Sequence, residues 1–209
     1  MIKGLLKKFQ KPMPKRRTEA QRMLTLRRAP VYYLPNTKRG STFLKNLFYY
    51  LDHSTEHVSG IDIHSNAEDL VRARTGDEHA IRQSPYTFAV LRDPVYRFLS
   101  LYFDKIYGDG PNNFADIRVY LSEEIALDLT RGLNVEAHRD NCKKLIDWVA
   151  LNLDHKTDLP INPHWRRQSS RLQRVASLRP RHLTLDGLDW QLPMLLGDII
   201  PDIRQAMVR

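Results

Sequence analysis

Two segments of this chain share one layout: an apolar strand pattern, a short polar turn, then a helix pattern. The first runs through Val31, Tyr32, Tyr33 and Leu34, turns at Thr37-Lys38-Arg39-Gly40, and continues as a helical pattern over residues 41–52. The second is apolar over residues 86–91, turns at Arg92-Asp93-Pro94, and continues as an amphipathic helix over 94–107. Strands separated by helices predict an α/β fold, a P-loop-like parallel β-sheet flanked by helices on both faces, in a single domain.

The turns carry the chemistry. A glycine-containing basic turn between a strand and a helix aims backbone N–H groups at an anion, the layout of a phosphate-binding loop. Gly40 lets the backbone approach a ligand, Ser41 or Thr42 is expected to cap the helix, and Lys38 adds positive charge. No G-x-x-x-x-G-K-[ST] string occurs, so the loop is not the nucleotide triphosphatase type. In the second segment Pro94 suits the first helical turn and Asp93 the cap. Arg92 then lies at the carboxyl end of a strand, where open α/β sheets bind ligands. Ser100 follows two helical turns later.

Together the two segments resemble the sulfotransferases that use 3′-phosphoadenylyl sulfate, and more closely the branch that sulfates carbohydrates. That family has a P-K-[TV]-[AG]-[SGC]-T loop for the donor's 5′-phosphosulfate, matched here by Thr37-Lys38-Arg39-Gly40-Ser41-Thr42, with Thr37 in place of the proline. Its R-[DE]-P-x-x-R-x-x-S-x-Y motif for the 3′-phosphate reads Arg92-Asp93-Pro94-Val95-Tyr96-Arg97-Phe98-Leu99-Ser100-Leu101-Tyr102, complete at the defining positions. Asn162-Pro163-His164-Trp165-Arg166-Arg167-Gln168 is similar to the carbohydrate branch's N-x-H-[WF]-x-P-Q segment, with Arg167 in place of its proline.

The resemblance implies transfer of a sulfuryl group to an acceptor hydroxyl, on a carbohydrate or glycolipid. It implies that Lys38, Arg39, Gly40, Ser41, Thr42, Arg92 and Ser100 bind the donor, with Lys38 also stabilising charge on the leaving oxygen. The chemistry is close to phosphoryl transfer, so positioning and charge stabilisation do most of the work. A neutral histidine suits the general base near neutral pH. His53, His57, His64 and His79 lie between the two motifs; His64 is favoured, with His164 its rival. Trp165 is expected to stack on a sugar ring, and Arg97 either pairs with Asp93 or Asp104 or touches the ligand. No metal-ligand spacing stands out, so the co-substrate is expected to work without a metal.

The net charge is +9, and residues 1–30 hold ten Lys or Arg against the single acid Glu19. Residues 31–209 are therefore balanced, and the basicity belongs to the tail. A nucleic-acid-binding fold would line a structured face with its cations, so no nucleic-acid partner is expected. Residues 1–29 read as a basic tail and 30–209 as the sulfotransferase-like domain. Within the tail, Ile2, Leu5, Leu6 and Phe9 have helical spacing among lysines, so residues 1–10 suggest an amphipathic helix at an anionic membrane surface. No apolar run approaches ~20 residues, and no secretory leader pattern is present. Cys142 is the only cysteine, which precludes an intrachain disulfide or a thiol zinc site. The expectation is a cytoplasmic, bacterial enzyme, peripheral to the inner face of the membrane if the tail binds there.

Elsewhere, residues 11–18 read as a linker, Thr18 as the cap of a short helix to Arg28, and Ser65 as the start of a capping-box helix to about Arg74. Helical patterns follow at 114–130 and 136–152, then an irregular stretch over 154–168, a strand at 183–185 and C-terminal helices. Two other readings compete. A P-loop small-molecule kinase needs a Walker lysine that is absent. A non-catalytic protein associated with membrane or nucleic acid would place its function in residues 1–30.

Overall fold

The computed structural model of the protein describes residues 17–57, 63, 70–110 and 113–208. The expected helix at 1–10, most of the linker at 11–18, and His64 with the start of the 65–74 helix lie outside them. Contacts gather the described residues into two compact units, Pro94–Arg166 and a sheet unit made of the stretches before and after it.

The sheet has four strands in the order β1 (Leu24–Thr25), β2 (Tyr32–Leu34), β3 (Thr87–Leu91) and β4 (Arg181–Thr184). Strands β2, β3 and β4 are parallel, with Tyr33 beside Phe88 and Phe88 beside Arg181. Helices α1 (Ser41–His53) and α2 (Glu78–Gln83) separate β2 from β3. The Pro94–Arg166 unit contains α3 (Pro94–Leu101), its π-helical continuation Tyr102–Tyr107, α4 (Ala115–Glu124) and α5 (Val135–Leu153). The sheet unit resumes with α6 (Gln168–Gln173), and after β4 come α7 (Leu188–Leu196) and α8 (Ile203–Val208).

Both faces of the sheet are covered, and the strands show why. β3 is buried at Thr87, Phe88, Ala89 and Val90, the continuous apolar run of a strand packed on two sides. On one face Tyr33, Phe88, Val90 and Leu183 meet Leu44, Leu47 and Phe48 of α1 and the buried leucines of α7. Tyr33 stacks on Phe88 with centroids 5.2 Å apart. On the other face Leu34 and Ala89 meet Ile81 of α2 and Val175 and Leu178, which follow α6. Burying each large apolar side chain contributes roughly 1.5–3 kcal/mol.

Five expectations change. The sheet is mixed rather than parallel, because β1 runs antiparallel to β2 with Leu24 beside Tyr33. Thr18 does cap a helix, exchanging bonds with Gln21 at 3.0 and 3.2 Å, but only the single 3-10 turn Ala20–Arg22 follows. Met23 and Leu24 are both fully buried in opposite face clusters, a period-two demand that no helix to Arg28 satisfies. Residues 70–74 are likewise not helical: Arg72 bridges Leu24, with Leu70 buried on one face and Ala73 on the other. The helix expected over 94–107 widens into its π-helical continuation after Leu101, and both Tyr102 and Ile106 are buried there. The helix expected over 114–130 closes at Glu124.

In the Pro94–Arg166 unit the buried face of α5 is Asn141, Leu145, Trp148 and Asn152, spaced four, three and four apart. Asn134 caps its start, accepting from the Ala137 N–H at 2.9 Å. The two buried asparagines act as clamps. Asn141 Nδ2 donates to Asp128 O at 2.6 Å and to Tyr102 Oη at 3.2 Å, while its Oδ1 accepts from the Asp128 N–H. Asn152 Nδ2 donates to Leu159 O at 2.6 Å and Thr157 Oγ1 at 2.8 Å, and its Oδ1 accepts from Trp165 Nε1 at 2.7 Å. Asn152 thus pins the irregular stretch 157–165 to the helix. Replacing Asn152 by Ala leaves the Trp165 N–H and Leu159 carbonyl without that partner and is expected to cost about 2–4 kcal/mol in urea unfolding. A loss below about 0.5 kcal/mol, the scale of neutral surface changes, would contradict the clamp.

Candidate active site

The loop after β2 leaves the carboxyl edge of the sheet and reverses sharply. Lys38 has φ 61° and Gly40 φ 69°, both left-handed. For Lys38 that conformation is a strain of the kind that persists where the surroundings hold it. Gly40 is the N-cap of α1 and its left-handed φ favours glycine; a Cβ there would also press on Leu185 Cδ1 at 2.7 Å, the tip of a side chain that can shift. The first helical bond is from the Leu44 N–H to Gly40 O at 2.9 Å. The N–H groups of the first turn therefore lie ahead of any intrahelical acceptor and face out along the helix axis. No side chain caps the helix, so Ser41 and Thr42 occupy its first two positions rather than the cap.

Arg39 of the same loop turns inward. It is 1% exposed and donates from Nη1 to Val90 O at 3.3 Å, tying the loop to β3. Asn36 is also buried; its Oδ1 accepts from the Thr37 N–H at 3.0 Å, and its Nδ2 has no partner among the described residues.

Arg92 follows the last residue of β3, and the fold brings it to the loop. Its Nη1 lies 3.5 Å from Lys38 O, and its Nε is buried without a hydrogen-bond partner among the described residues. Gln168, at the start of α6, fixes the Arg92 backbone from both sides. Its Oε1 accepts from the Arg92 N–H at 3.3 Å and its Nε2 donates to the Arg92 carbonyl at 2.7 Å. The carboxamide thereby stands in for another strand, extending the sheet's hydrogen bonding by one residue. The sequence contained this glutamine at the end of the 162–168 segment, but the pattern alone assigned it no role.

Other candidates are placed as follows. Ser100 lies on α3, in the Pro94–Arg166 unit. Arg97, also on α3, donates to Pro163 O at 3.3 Å and His164 O at 2.6 Å, so it supports the His164 segment; burial lowers its pKa. Trp165 is 5% exposed, 5.6 Å edge-on from Trp148 and bonded to Asn152. It is a core residue, which removes it as a sugar platform. Asn162 orients the His164 ring. Asn162 Oδ1 accepts both the His164 backbone N–H at 2.9 Å and Nδ1 at 2.8 Å. An oxygen that accepts the first must accept the second, so Nδ1 carries a proton, and in the neutral ring Nε2 is then the basic nitrogen. His53 Nδ1 lies 2.9 Å from Tyr49 O and its ring stacks on Tyr49, His57 meets Tyr49 edge-on, and His79 is exposed. No cluster of His, Cys, Asp or Glu among the described residues has the arrangement to hold a metal ion.

Replacing Gln168 by Ala removes both bonds to the Arg92 backbone and is expected to lower stability by about 1–3 kcal/mol. Gln168→Glu keeps the acceptor and loses the donor, so urea unfolding should place it between wild type and Gln168→Ala. Equal stability of all three would contradict the clamp.

The sequence matches the model of the sulfotransferase family over residues 21–181. No curated protein and no solved structure matches it. The matched span begins ahead of β1, runs through the 38–42 loop, Arg92, Ser100 and Gln168, and ends at the first residue of β4. Among the described residues no helix is long and apolar enough to cross a membrane. With a match over most of its length, and with the loop and Arg92 set together on one edge of an α/β sheet, the chain belongs to the sulfotransferase family.

Proposed function

We propose that the protein moves the sulfuryl group of 3′-phosphoadenylyl sulfate onto a hydroxyl of a carbohydrate or glycolipid. The observation that carries the reading is Arg92 held beside the Lys38 loop, its buried Nε without a partner among the described residues. A guanidinium and a strained loop, both rich in donors, suit a ligand with two separate phosphate groups. An orphaned buried donor is costly until it meets an acceptor such as a phosphate oxygen.

In this reading the N–H groups of Gly40, Ser41 and Thr42 receive the donor's 5′-phosphate, and Arg92 receives the 3′-phosphate. Ser100 joins Arg92 through the motif they share. Lys38 neutralises the charge that grows on the 5′-phosphate oxygen as the sulfur–oxygen bond breaks. The acceptor oxygen bonds to sulfur and gives its proton to a base. His64 and His164 are the candidates for that base, and the Nδ1–H tautomer of His164 supports the second. Arg39 contributes by holding the loop to β3. No metal has a role in this scheme.

The similarity of the 162–168 segment to the carbohydrate branch supports a sugar acceptor. We place the enzyme in a bacterial cytoplasm, with residues 1–10 as a peripheral contact to the inner membrane face; the lysine-rich amphipathic pattern and the lone Cys142 support this.

Thermal unfolding with 3′-phosphoadenosine 5′-phosphate, against 5′-AMP and against ATP with Mg²⁺, tests the donor. A ligand at 100 times its Kd adds about 2.7 kcal/mol, which should raise Tm by roughly 5–10 °C for a chain of this size. The shift should be specific to the 3′-phosphorylated nucleotide and disappear in folded Arg92→Ala and Lys38→Ala variants. A shift with ATP alone would overturn the assignment in favour of a kinase.

A further inference from the structure

The carboxyl edge of the sheet holds a second group of cations that the donor reading does not use. Arg171 lies three residues beyond Gln168 on α6 and so shares its helix face. It is half-buried, and its Nε is shielded from solvent without a hydrogen-bond partner among the described residues. Among the described residues the charged groups acting on it are Arg22, Arg72 and Arg17, together with the phenol of fully buried Tyr33. Burial first, then these like charges, push the Arg171 guanidinium down to about 10, against the opposing effect of Tyr33. Burial and Arg17 lower Arg72 as well.

Strand register locates the group. Because β1 is antiparallel to β2 with Leu24 beside Tyr33, the residues just before Leu24 lie level with the end of β2, where the 36–40 loop departs. Arg22 is among them and donates from Nη2 to Arg17 O at 3.2 Å. Arg72 pairs with Leu24 on the side of β1 away from β2. Arg22 and Arg72 therefore flank the loop from the β1 side, whereas Arg92 flanks it from β3. Arg171 reaches them from α6, whose next residue Leu172 packs on the cluster that holds Met23 and Ala73, the chain neighbours of Arg22 and Arg72.

Like charges brought together repel one another, and half-buried Arg171 and Arg72 also lose hydration. A bound oxyanion offsets both costs, and planar guanidinium donors match its oxygens in pairs. We infer that Arg171, Arg72, Arg22 and Arg17 form an oxyanion-binding subsite, separate from the 38–42 loop and Arg92, that takes a sulfate or phosphate group. The group comes either from a free inorganic ion or from an ester on a larger ligand. The inference does not rest on the identity of the sulfuryl donor.

The test uses the full chain carrying Lys38→Ala and Arg92→Ala, which removes the donor-loop cations, and follows thermal unfolding in sodium sulfate against sodium chloride of equal ionic strength. A saturable, sulfate-specific rise in Tm is expected in that background. Adding Arg171→Gln should abolish it, and adding Arg72→Gln should weaken the apparent affinity at least tenfold. Where the Arg171→Gln variant does not fold, Arg72→Gln decides alone. Glucose 6-sulfate added in place of sulfate separates the sources: saturation at lower concentration than the inorganic ion assigns the group to a larger ligand, and the reverse order to the free ion. No sulfate-specific rise, or a rise that survives both arginine substitutions, overturns the subsite. In the otherwise wild-type chain, loss of the 3′-phosphoadenosine 5′-phosphate shift on Arg171→Gln would assign these arginines to the nucleotide and equally overturn a separate subsite.

Discussion

The carboxyl edge of β2 and β3 holds more buried hydrogen-bond donors than the described residues supply acceptors for, and the local architecture is arranged around that surplus. Asn36 Nδ2 and Arg92 Nε are buried there without a hydrogen-bond partner among the described residues. Each costs on the order of 1–3 kcal/mol in a fold whose net stability is only about 5–15 kcal/mol. Donors left in this state at the ends of parallel strands suit the proposed ligand, which is rich in acceptors. A phosphorylated nucleotide meets that description, and membership of the sulfotransferase family gives it chemical direction.

Holding such an edge together takes rigid support. Arg39 is spent inside, where its bond to Val90 O keeps the loop on β3. Gln168 completes the hydrogen bonding of Arg92 where the strand has run out of partners. Gly40 gives α1 its left-handed cap and leaves room for Leu185. The Pro94–Arg166 unit solves a different problem by a similar device. Its buried asparagines, Asn141 and Asn152, replace regular secondary structure by binding irregular backbone to α5. Arg97 then fixes the carbonyls of Pro163 and His164 from α3.

Much of this was legible in the sequence because the two strand–turn–helix segments state it locally. The strands at β2 and β3, helix α1 from Ser41, and the turn positions of Lys38, Gly40 and Arg92 all follow from apolar runs broken by glycine, proline and charge. What the pattern hid was set by tertiary pairing. β1 is two residues long and exists because Met23 and Leu24 are needed on opposite faces. Arg72 falls in a sequence that spells a helix cap, yet the sheet edge claims it as a bridge. Trp165 looks like a surface aromatic in its motif, but Asn152, eleven residues after Asn141, buries it. Arg39 reads as one more loop cation, and only packing reveals that it points inward. Arg171 carries no local signal at all: its meaning lies in three other arginines distant in sequence.

The most direct measurement is a crystal structure of the protein with 3′-phosphoadenosine 5′-phosphate. The account predicts the 5′-phosphate within hydrogen-bond distance of the N–H groups of Gly40, Ser41 and Thr42, and the 3′-phosphate on the Arg92 guanidinium with Nε donating to it. A nucleotide bound with its 3′-phosphate away from Arg92, or bound elsewhere than the 38–42 loop, would contradict it.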